Sequence, residues 1–216
     1  MRLRSIVCIL SLAVHLACGA AHAAPEPSVA PTSWELDFTY SDPQRITLTL
    51  PGNNATTTYW YMLYTVTNTT GDEADFYPTF KVITGDLKSI EAGYGISPSV
   101  NDAILTRHKK AYPFSVDPMK MYGPLLRGED NARTSIIVFP EFAEDVNAFT
   151  VYVGGLSGEV TKIRNPRFER AVQTSDDNPM FFFVRKTLAI GYDVPGDTRT
   201  RLEAAPVRTK QSWVMR

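Results

Sequence analysis

The sequence has little cysteine and little histidine, and both become scarcer once its first residues are interpreted. Its 216 residues include 2 cysteines and 3 histidines. Arg2 and Arg4 form a basic start, an apolar run follows over residues 6–17, and Ala21-His22-Ala23 is typical of a signal-peptidase site. We therefore expect residues 1–23 to be a signal peptide that is cleaved after Ala23.

Removal of this segment excludes several kinds of chemistry. Both cysteines, Cys8 and Cys18, lie inside it, so the mature chain would have no disulfide and no thiol nucleophile. Lipidation of Cys18 is a weaker alternative, because His15 stands where a lipobox has leucine. Only His108 remains, so a hydrolytic triad would depend on it, and a transition-metal site would lack a second imidazole. We interpret His108, at a predicted helix end, as a solvated terminal residue.

Long hydrophobic runs and an excess of basic charge are also missing. No later segment offers the roughly 20 apolar residues that span a bilayer, so we expect no transmembrane segment in the mature chain. Loss of Arg2 and Arg4 lowers the basic count from 22 to 20 against 23 acidic residues, which takes the formal net charge from −1 to −3. This mild acidity argues against nucleic-acid binding. We expect no cofactor.

The most informative stretch is a long strand, Thr58 to Asn68, rich in aromatic and β-branched residues. Alternation predicts that one face carries Trp60, Met62, Tyr64 and Val66, and that the other carries Tyr59, Tyr61 and Leu63. Both faces must be covered, or an aromatic surface stays exposed. We favour a core position for Tyr59 and Tyr61, and keep open a flat stacking surface that they would form with Tyr77.

Shorter alternating segments separated by turn residues predict a single all-β sandwich over residues 34–216. A Pro-rich lead, residues 24–33, precedes it as a flexible tether. Pro78 predicts an edge strand or a bulge in the segment 75–84. A second long strand, 181–194, is expected to bend near Gly191 and to place Phe182 in one core with Trp60 and Tyr64.

Residues 85–127 interrupt the strand rhythm and form an insert. Pro98 at a first helical position, with Val100, Ala103 and Ile104 at helical spacing, predicts a short helix that ends in basic residues. The rest of the insert is too apolar for a free loop, so we expect it to cover a sheet face and also to recognise a partner. The candidate partner-binding residues are Tyr59, Tyr61, Met119, Met121 and Tyr122.

The segment Tyr64-Thr-Val-Thr-Asn-Thr-Thr-Gly71 resembles the signature of bacterial immunoglobulin-like domains, in which such a strand runs into a glycine turn. Gly128-Glu129, followed by Ile136-Ile-Val-Phe139 and a strand at 149–153, is similar to the second half of those domains. The chain, including Tyr152-Val-Gly-Gly-Leu156, is also similar to uncharacterised secreted proteins of planctomycete bacteria. The resemblance implies an immunoglobulin-like antiparallel β-sandwich and implies no activity.

Acidic residues gather in predicted loops, where Asp and Asn are most often turn formers. Asp72, Glu73 and Asp75 are weak calcium candidates, since oxygen-rich loops at one end of a sandwich can bind that ion. Loop carboxylates could also serve glycoside hydrolysis, which needs a defined separation that sequence does not supply.

Two classes of function remain after these exclusions. The first is a non-enzymatic exported module, periplasmic or at the cell surface, that acts in interaction or structure at the bacterial envelope or as an accessory subunit of a larger complex. Its partner would be a protein, an envelope component or a polysaccharide. The alternative is a carbohydrate-active or other hydrolytic enzyme that uses the loop carboxylates.

Overall fold

The structure is a computed structural model that describes residues 24–50 and 55–216. The predicted signal peptide, with Cys8 and Cys18, lies outside the described residues, as do residues 51–54. In the described residues the strands and the α-helix are, in chain order, β1 Asp37–Tyr40, β2 Gln44–Thr49, β3 Thr56–Thr67, β4 Ala74–Phe76, β5 Thr79–Thr84, β6 Ser89–Glu91, α1 Pro98–His108, β7 Gly123–Leu125, β8 Arg133–Pro140, β9 Ala148–Gly154, β10 Val160–Arg164, β11 Phe181–Asp193 and β12 Val207–Met215.

Two antiparallel sheets face each other, which confirms the predicted all-β sandwich with a helix-containing insert. In the first sheet, β1 and β2 pair with successive parts of β3, and β8 pairs with β3 as well. In the second sheet, β9 lies between β5 and β11, β6 extends the sheet beyond β5, and β12 pairs with β11. A small third sheet joins β4 to β7.

The two faces of β3 are buried in two different places, as its alternation predicts. Trp60, Met62, Tyr64 and Val66 belong to the main core between the two sheets. Tyr59, Tyr61 and Leu63 belong to a second cluster on the opposite face. The strand is therefore apolar on both faces because it is the middle layer of three.

Helix α1 supplies the third layer. Pro98 occupies its first turn, where the missing N–H costs nothing, and Val100 and Ile104 are fully buried in the second cluster. The predicted helix is confirmed, and so is its role as a cover for Tyr59 and Tyr61. None of the helices in the described ranges has both the length and the apolar character required to cross a membrane.

Two sequence predictions about the strands, one at Gly191 and one at Pro78, have opposite outcomes. The register of β11 against β12 shifts between Gly191 and Tyr192, which confirms the predicted irregularity near Gly191. The edge-strand prediction for Pro78 is wrong: the chain breaks there into β4 and β5, and β5 is an interior strand between β9 and β6. A proline fits because the strand begins just after it, so no ladder hydrogen bond is lost.

Phe182 is not a core residue, and the prediction that it packs with Trp60 and Tyr64 is wrong. Its side chain is 43% exposed. The first residues of β11 pair with β10, and this hairpin carries the sheet past the region that the main core covers. Alternation put Phe182 on the same side as Leu188 and Ile190, but no facing sheet buries it there.

The Pro-rich lead is held to the second sheet at Ser28, so it does not behave as a free tether at that residue. The Ser28 N–H donates to Glu159 Oε1 at 2.8 Å, and Lys186 Nζ donates to the Ser28 carbonyl at 3.2 Å. Lys186 is buried and forms ion pairs with Glu35, at 2.8 Å, and with Glu159, at 3.6 Å. A buried lysine needs such partners, and here two carboxylates and a carbonyl surround it.

Acid should release the lead from the sheet. The hydrogen bond from the Ser28 N–H, aided by Lys186, lowers the pKa of Glu159 below its ordinary value of 4.5. The stabilisation is therefore complete above pH 4.5 and is lost as the pH falls through the lower folded-state value. Hydrogen exchange at the Ser28 amide, corrected for its intrinsic rate, should show protection at pH 7 that disappears in stronger acid.

The variant Glu159→Gln provides the control for this experiment. It lacks the titrating group, so its Ser28 protection should not change with pH in the acidic range. Ser28 protection that responds to acid to the same degree in the parent protein and in Glu159→Gln would contradict the role given to Glu159.

Candidate functional site: a tyrosine and arginine groove

An open groove of about 790 Å³ lies along the outer face of the second sheet. Lys81, Tyr152 and Thr187 line it from β5, β9 and β11. They alternate with the core residues Val82, Val153 and Leu188, so they point away from the main core. The groove therefore lies on the outer face of the second sheet, whose inner face packs into the main core.

Two tyrosines, Tyr77 and Tyr122, stand at one side of the groove. Phe76 of β4 pairs with Gly123 of β7, and the next antiparallel position on each strand is a tyrosine. Their ring centroids are 6.4 Å apart with the planes tilted by 44°. Tyr77 is 58% exposed and Tyr122 is 49% exposed, so the pair presents aromatic surface to the groove instead of core.

The backbone on both sides of this pair is locally constrained. Gly155 has a φ of +84°, and a Cβ atom there would lie 2.5 Å from the Tyr77 carbonyl oxygen, so glycine permits the close approach of β4 to the loop after β9. On the other side, Asp117 accepts a hydrogen bond from the Met119 N–H at 2.9 Å and begins a short 3₁₀ turn. Buried Met121 then anchors the chain just before Tyr122.

Positive charge occupies the opposite side of the groove. The Arg216 guanidinium lies 4.1 Å from the centroid of the Tyr152 ring. Backbone hydrogen bonds of 2.7 and 3.0 Å join Arg185 to Arg216 and place the two side chains next to each other along the sheet. Within the described residues no carboxylate forms an ion pair with either arginine, whereas Lys81 is paired with Glu91 at 3.3 Å. Two arginines are thus available to an external anion.

The predicted partner-binding residues do not form one surface. Tyr59, Tyr61 and Met121 are buried, so the proposal that they contact a partner directly is wrong, because α1 and the main core cover them. Met119 is 75% exposed but does not line the groove. Of the five, Tyr122 alone lines it, and Tyr77, which the sequence offered only as a further member of the stacking surface, is its neighbour.

Sequence reasoning missed the other half of the groove: Tyr152, Arg185 and Arg216. A signal for Tyr152 was present, since Phe149, Val151 and Val153 alternate inward and leave a large aromatic residue on the outer face of the same strand. The arginines carry no comparable local signal, because their proximity depends on the pairing of β11 with β12.

His108 is a contact between the helix and the first sheet. Its Nε2 lies 2.9 Å from the Tyr61 hydroxyl, which also lies 3.0 Å from Gln44 Oε1. Burial, with a smaller contribution from the Arg107 charge, lowers the pKa of His108 below its ordinary value of 6.5. His108 was expected to be a solvated helix terminus, but its imidazole is half-buried and hydrogen-bonds to Tyr61 of β3, beneath α1.

The weak calcium candidates are not arranged as a site. No group of three histidine, cysteine, aspartate or glutamate side chains in residues 24–50 and 55–216 is placed to hold a metal ion. Around Asp72 the observed hydrogen bonds are those of a turn, because its carbonyl oxygen accepts from Asn68 Nδ2 and from the Thr70 hydroxyl. Asp75 instead lines the groove.

Comparison with known proteins gives little beyond the fold. No protein-family model matches the chain, and no curated protein matches it. Among solved structures, the crystal structure of the yjhA protein from Bacillus subtilis is similar over 71% of this chain and 93% of its own, with 11% sequence identity and a TM-score of 0.35. Likeness at that level carries no argument. The resemblances to immunoglobulin-like domains and to planctomycete proteins stay predictions.

Proposed function

We propose that this protein is an exported, non-enzymatic binding module of the bacterial cell envelope, and that its groove binds an extended acidic polysaccharide. The single observation that carries the proposal is the placement of a half-exposed tyrosine pair opposite two arginines that have no ion-pair partner in the described chain. The export part depends on the signal-like residues 1–23.

The tyrosines supply the stacking half of such a site. Tyrosine rings combine a large apolar face with a hydroxyl group, so they pack against the apolar face of a sugar ring while they hydrogen-bond to its hydroxyl groups. The β4–β7 pairing and the close approach at Gly155 hold the backbone that carries Tyr77 and Tyr122, so little backbone ordering is needed when a ligand binds.

The arginines supply the charge half. A guanidinium group binds a carboxylate through two parallel hydrogen bonds, which gives both strength and orientation. The Arg216 guanidinium already lies over the Tyr152 ring, and Arg185 lies beside Arg216. A polymer of uronic acids presents a sugar face and a carboxylate in each unit, so it matches both halves of the groove.

The hydrolytic alternative has one observation in its favour, because Asp75 and Glu91 line the same groove. Glu91, however, is ion-paired with Lys81 at 3.3 Å. Glycoside hydrolysis needs two carboxyl groups that both face the scissile bond, and one carboxyl group of this pair already contacts a lysine. The groove thus favours binding over cleavage.

Affinity electrophoresis in gels that contain alginate or polygalacturonate tests the proposal, with neutral dextran as the comparison polymer. The parent protein should be retarded by the uronate polymers and not by dextran. The double variant Tyr77→Ala/Tyr122→Ala should bind about tenfold more weakly, since two aromatic contacts are lost. Arg185→Gln should weaken binding and reduce its dependence on salt.

Tyr94→Ala is the matched control, because Tyr94 is a more exposed tyrosine outside the groove, and it should leave binding unchanged. Equal binding to dextran and alginate, or full affinity in the double variant, would contradict the proposal. If the protein released new reducing ends from either polymer, and Glu91→Gln abolished that release, the hydrolytic alternative would replace the binding proposal.

A further inference from the structure

A second surface, separate from the tyrosine pair, lies on the hairpin of β10 and β11. Residues 160–164 and 181–185 pair with each other, and the loop 165–180 connects them. The pairing of β12 with β11 reaches only as far as residues 185 and 186, so within the described part of the chain residues 181–184 have a strand on one side only. We call residues 160–185 the arm, because this hairpin extends the sheet past its neighbours.

The arm exposes large apolar side chains on both of its faces. Phe183 is 66% exposed and Phe182, on the opposite face, is 43% exposed. Val160, Val172 and Met180 are exposed as well. Exposed aromatic residues on both faces of a two-stranded hairpin are more than a monomer needs, and such patches mark contact with a partner or a lipid surface.

Basic residues lie among these aromatic residues at fixed positions. Cross-strand pairing puts Lys162 opposite Phe183 and Arg164 opposite Phe181 on one face, with Arg185 farther along it. The Lys162 ammonium lies 3.6 Å from the centroid of the Phe181 ring. None of these three basic residues forms an ion pair within the described chain.

The strand part of the arm contains no acidic residue, while its loop contains both signs of charge. Arg167 and Arg170 are accompanied there by Glu169, Asp176 and Asp177. The paired strands therefore offer a surface that is aromatic and purely basic. Long basic side chains beside exposed phenylalanines are the pattern of a protein segment that lies in the interface of a bilayer.

We propose that the arm binds an anionic lipid surface, with Phe182 and Phe183 entering the interface and Lys162 and Arg164 held at the level of the headgroups. The charge complementarity favours lipid over a second copy of the chain. Strand pairing between two arms would bring together two identical sets of basic residues, Lys162, Arg164 and Arg185. Repulsion between these like charges opposes association. An anionic membrane instead supplies the missing counter-charge.

Vesicle flotation with the purified chain, residues 24–216, tests this directly. Vesicles of phosphatidylglycerol and phosphatidylcholine in equal amounts should carry the protein, and vesicles of phosphatidylcholine alone should carry at least tenfold less. The variant Lys162→Gln/Arg164→Gln should lose about 25-fold in affinity, since each basic side chain near such a surface contributes about fivefold. The variant Phe182→Ser/Phe183→Ser should lose at least tenfold while its thermal unfolding stays close to that of the parent.

Two matched controls isolate the arm. Phe114→Ser removes an even more exposed phenylalanine from the insert, and Lys109→Gln/Lys110→Gln removes two exposed basic residues at the end of α1. Both controls should float as the parent does. Equal losses in the controls and in the arm variants, or equal flotation on neutral and anionic vesicles, would overturn the proposal.

Sedimentation velocity without lipid tests whether a second copy of the chain binds the arm instead. A dimer that Phe182→Ser/Phe183→Ser abolishes would assign the arm to a second copy of the chain and overturn the lipid assignment. Tyr77→Ala/Tyr122→Ala should leave flotation unchanged, so failure of the polysaccharide proposal and failure of the lipid proposal give different results.

Discussion

Replacement of Trp60 by alanine should lower the free energy of unfolding by about 3–5 kcal/mol, the range measured when large aromatic residues are removed from cores. Trp60 is fully buried, and its ring stacks against Phe142 and tilts against Phe149 at centroid distances of 5.8 Å. The Arg45 guanidinium lies 3.8 Å from the centre of the same ring. Urea unfolding followed by circular dichroism measures the loss without depending on tryptophan fluorescence.

Trp60→Phe should be much milder than Trp60→Ala. The indole N–H has no hydrogen-bond partner in the structure, so phenylalanine gives up no hydrogen bond and leaves a smaller cavity. Phe182→Ala is the second comparison and should cost about 1 kcal/mol or less, because that side chain is largely outside the core. A loss for Phe182→Ala as large as that for Trp60→Ala would contradict the position of the arm.

The comparison between Trp60 and Phe182 shows what alternation in a strand can predict. A period of two is a local property of the backbone, so it correctly divides β3 between two clusters and puts Phe182 on the same side as Leu188 and Ile190. It does not say how far the opposite sheet extends. That extent depends on the lengths and registers of distant strands, which the sequence around Phe182 does not contain.

The candidate groove was harder to predict for a related reason. Tyr77 and Tyr122 become neighbours because β4 pairs with β7, two three-residue strands that no periodic pattern identifies. The many apolar residues of the insert led to the prediction that some of them recognise a partner, and Tyr122 remains a candidate on that ground. The same apolar character could not distinguish it from Met121, which is adjacent in sequence and fully buried.

Asn68→Ala should be the second strongly destabilising change, with an expected loss of about 2–4 kcal/mol, since each buried polar group left without its partner costs about 1–3 kcal/mol. The Asn68 side chain is completely buried. Its Nδ2 donates to the carbonyl oxygens of Asp72, at 2.9 Å, and Leu125, at 2.8 Å. Its Oδ1 accepts from the N–H and the hydroxyl of Thr70, at 3.0 and 2.7 Å.

These contacts give a structural meaning to the Val-Thr-Asn segment that resembles the immunoglobulin-like signature. The Asn68 amide group closes the turn after β3 and ties that turn to Leu125, the last residue of β7. Tyr122 lies immediately before the first residue of the same strand. Asn131→Ala is the matched control, because Asn131 is exposed and donates a side-chain hydrogen bond to the Arg127 carbonyl. Its loss should stay below about 1 kcal/mol.

Asn68→Asp separates the donor from the acceptor functions of this side chain. At neutral pH an aspartate has no hydrogen to offer the two carbonyl oxygens, and it places a negative charge beside them, so it should destabilise at least as much as alanine. Protonation in acid restores one O–H donor, so the gap in stability between Asn68→Asp and the parent protein should narrow as the pH falls. A gap that does not change with pH, measured by urea unfolding between pH 7 and pH 4, would mean that the donated hydrogen bonds are not what Asn68 contributes.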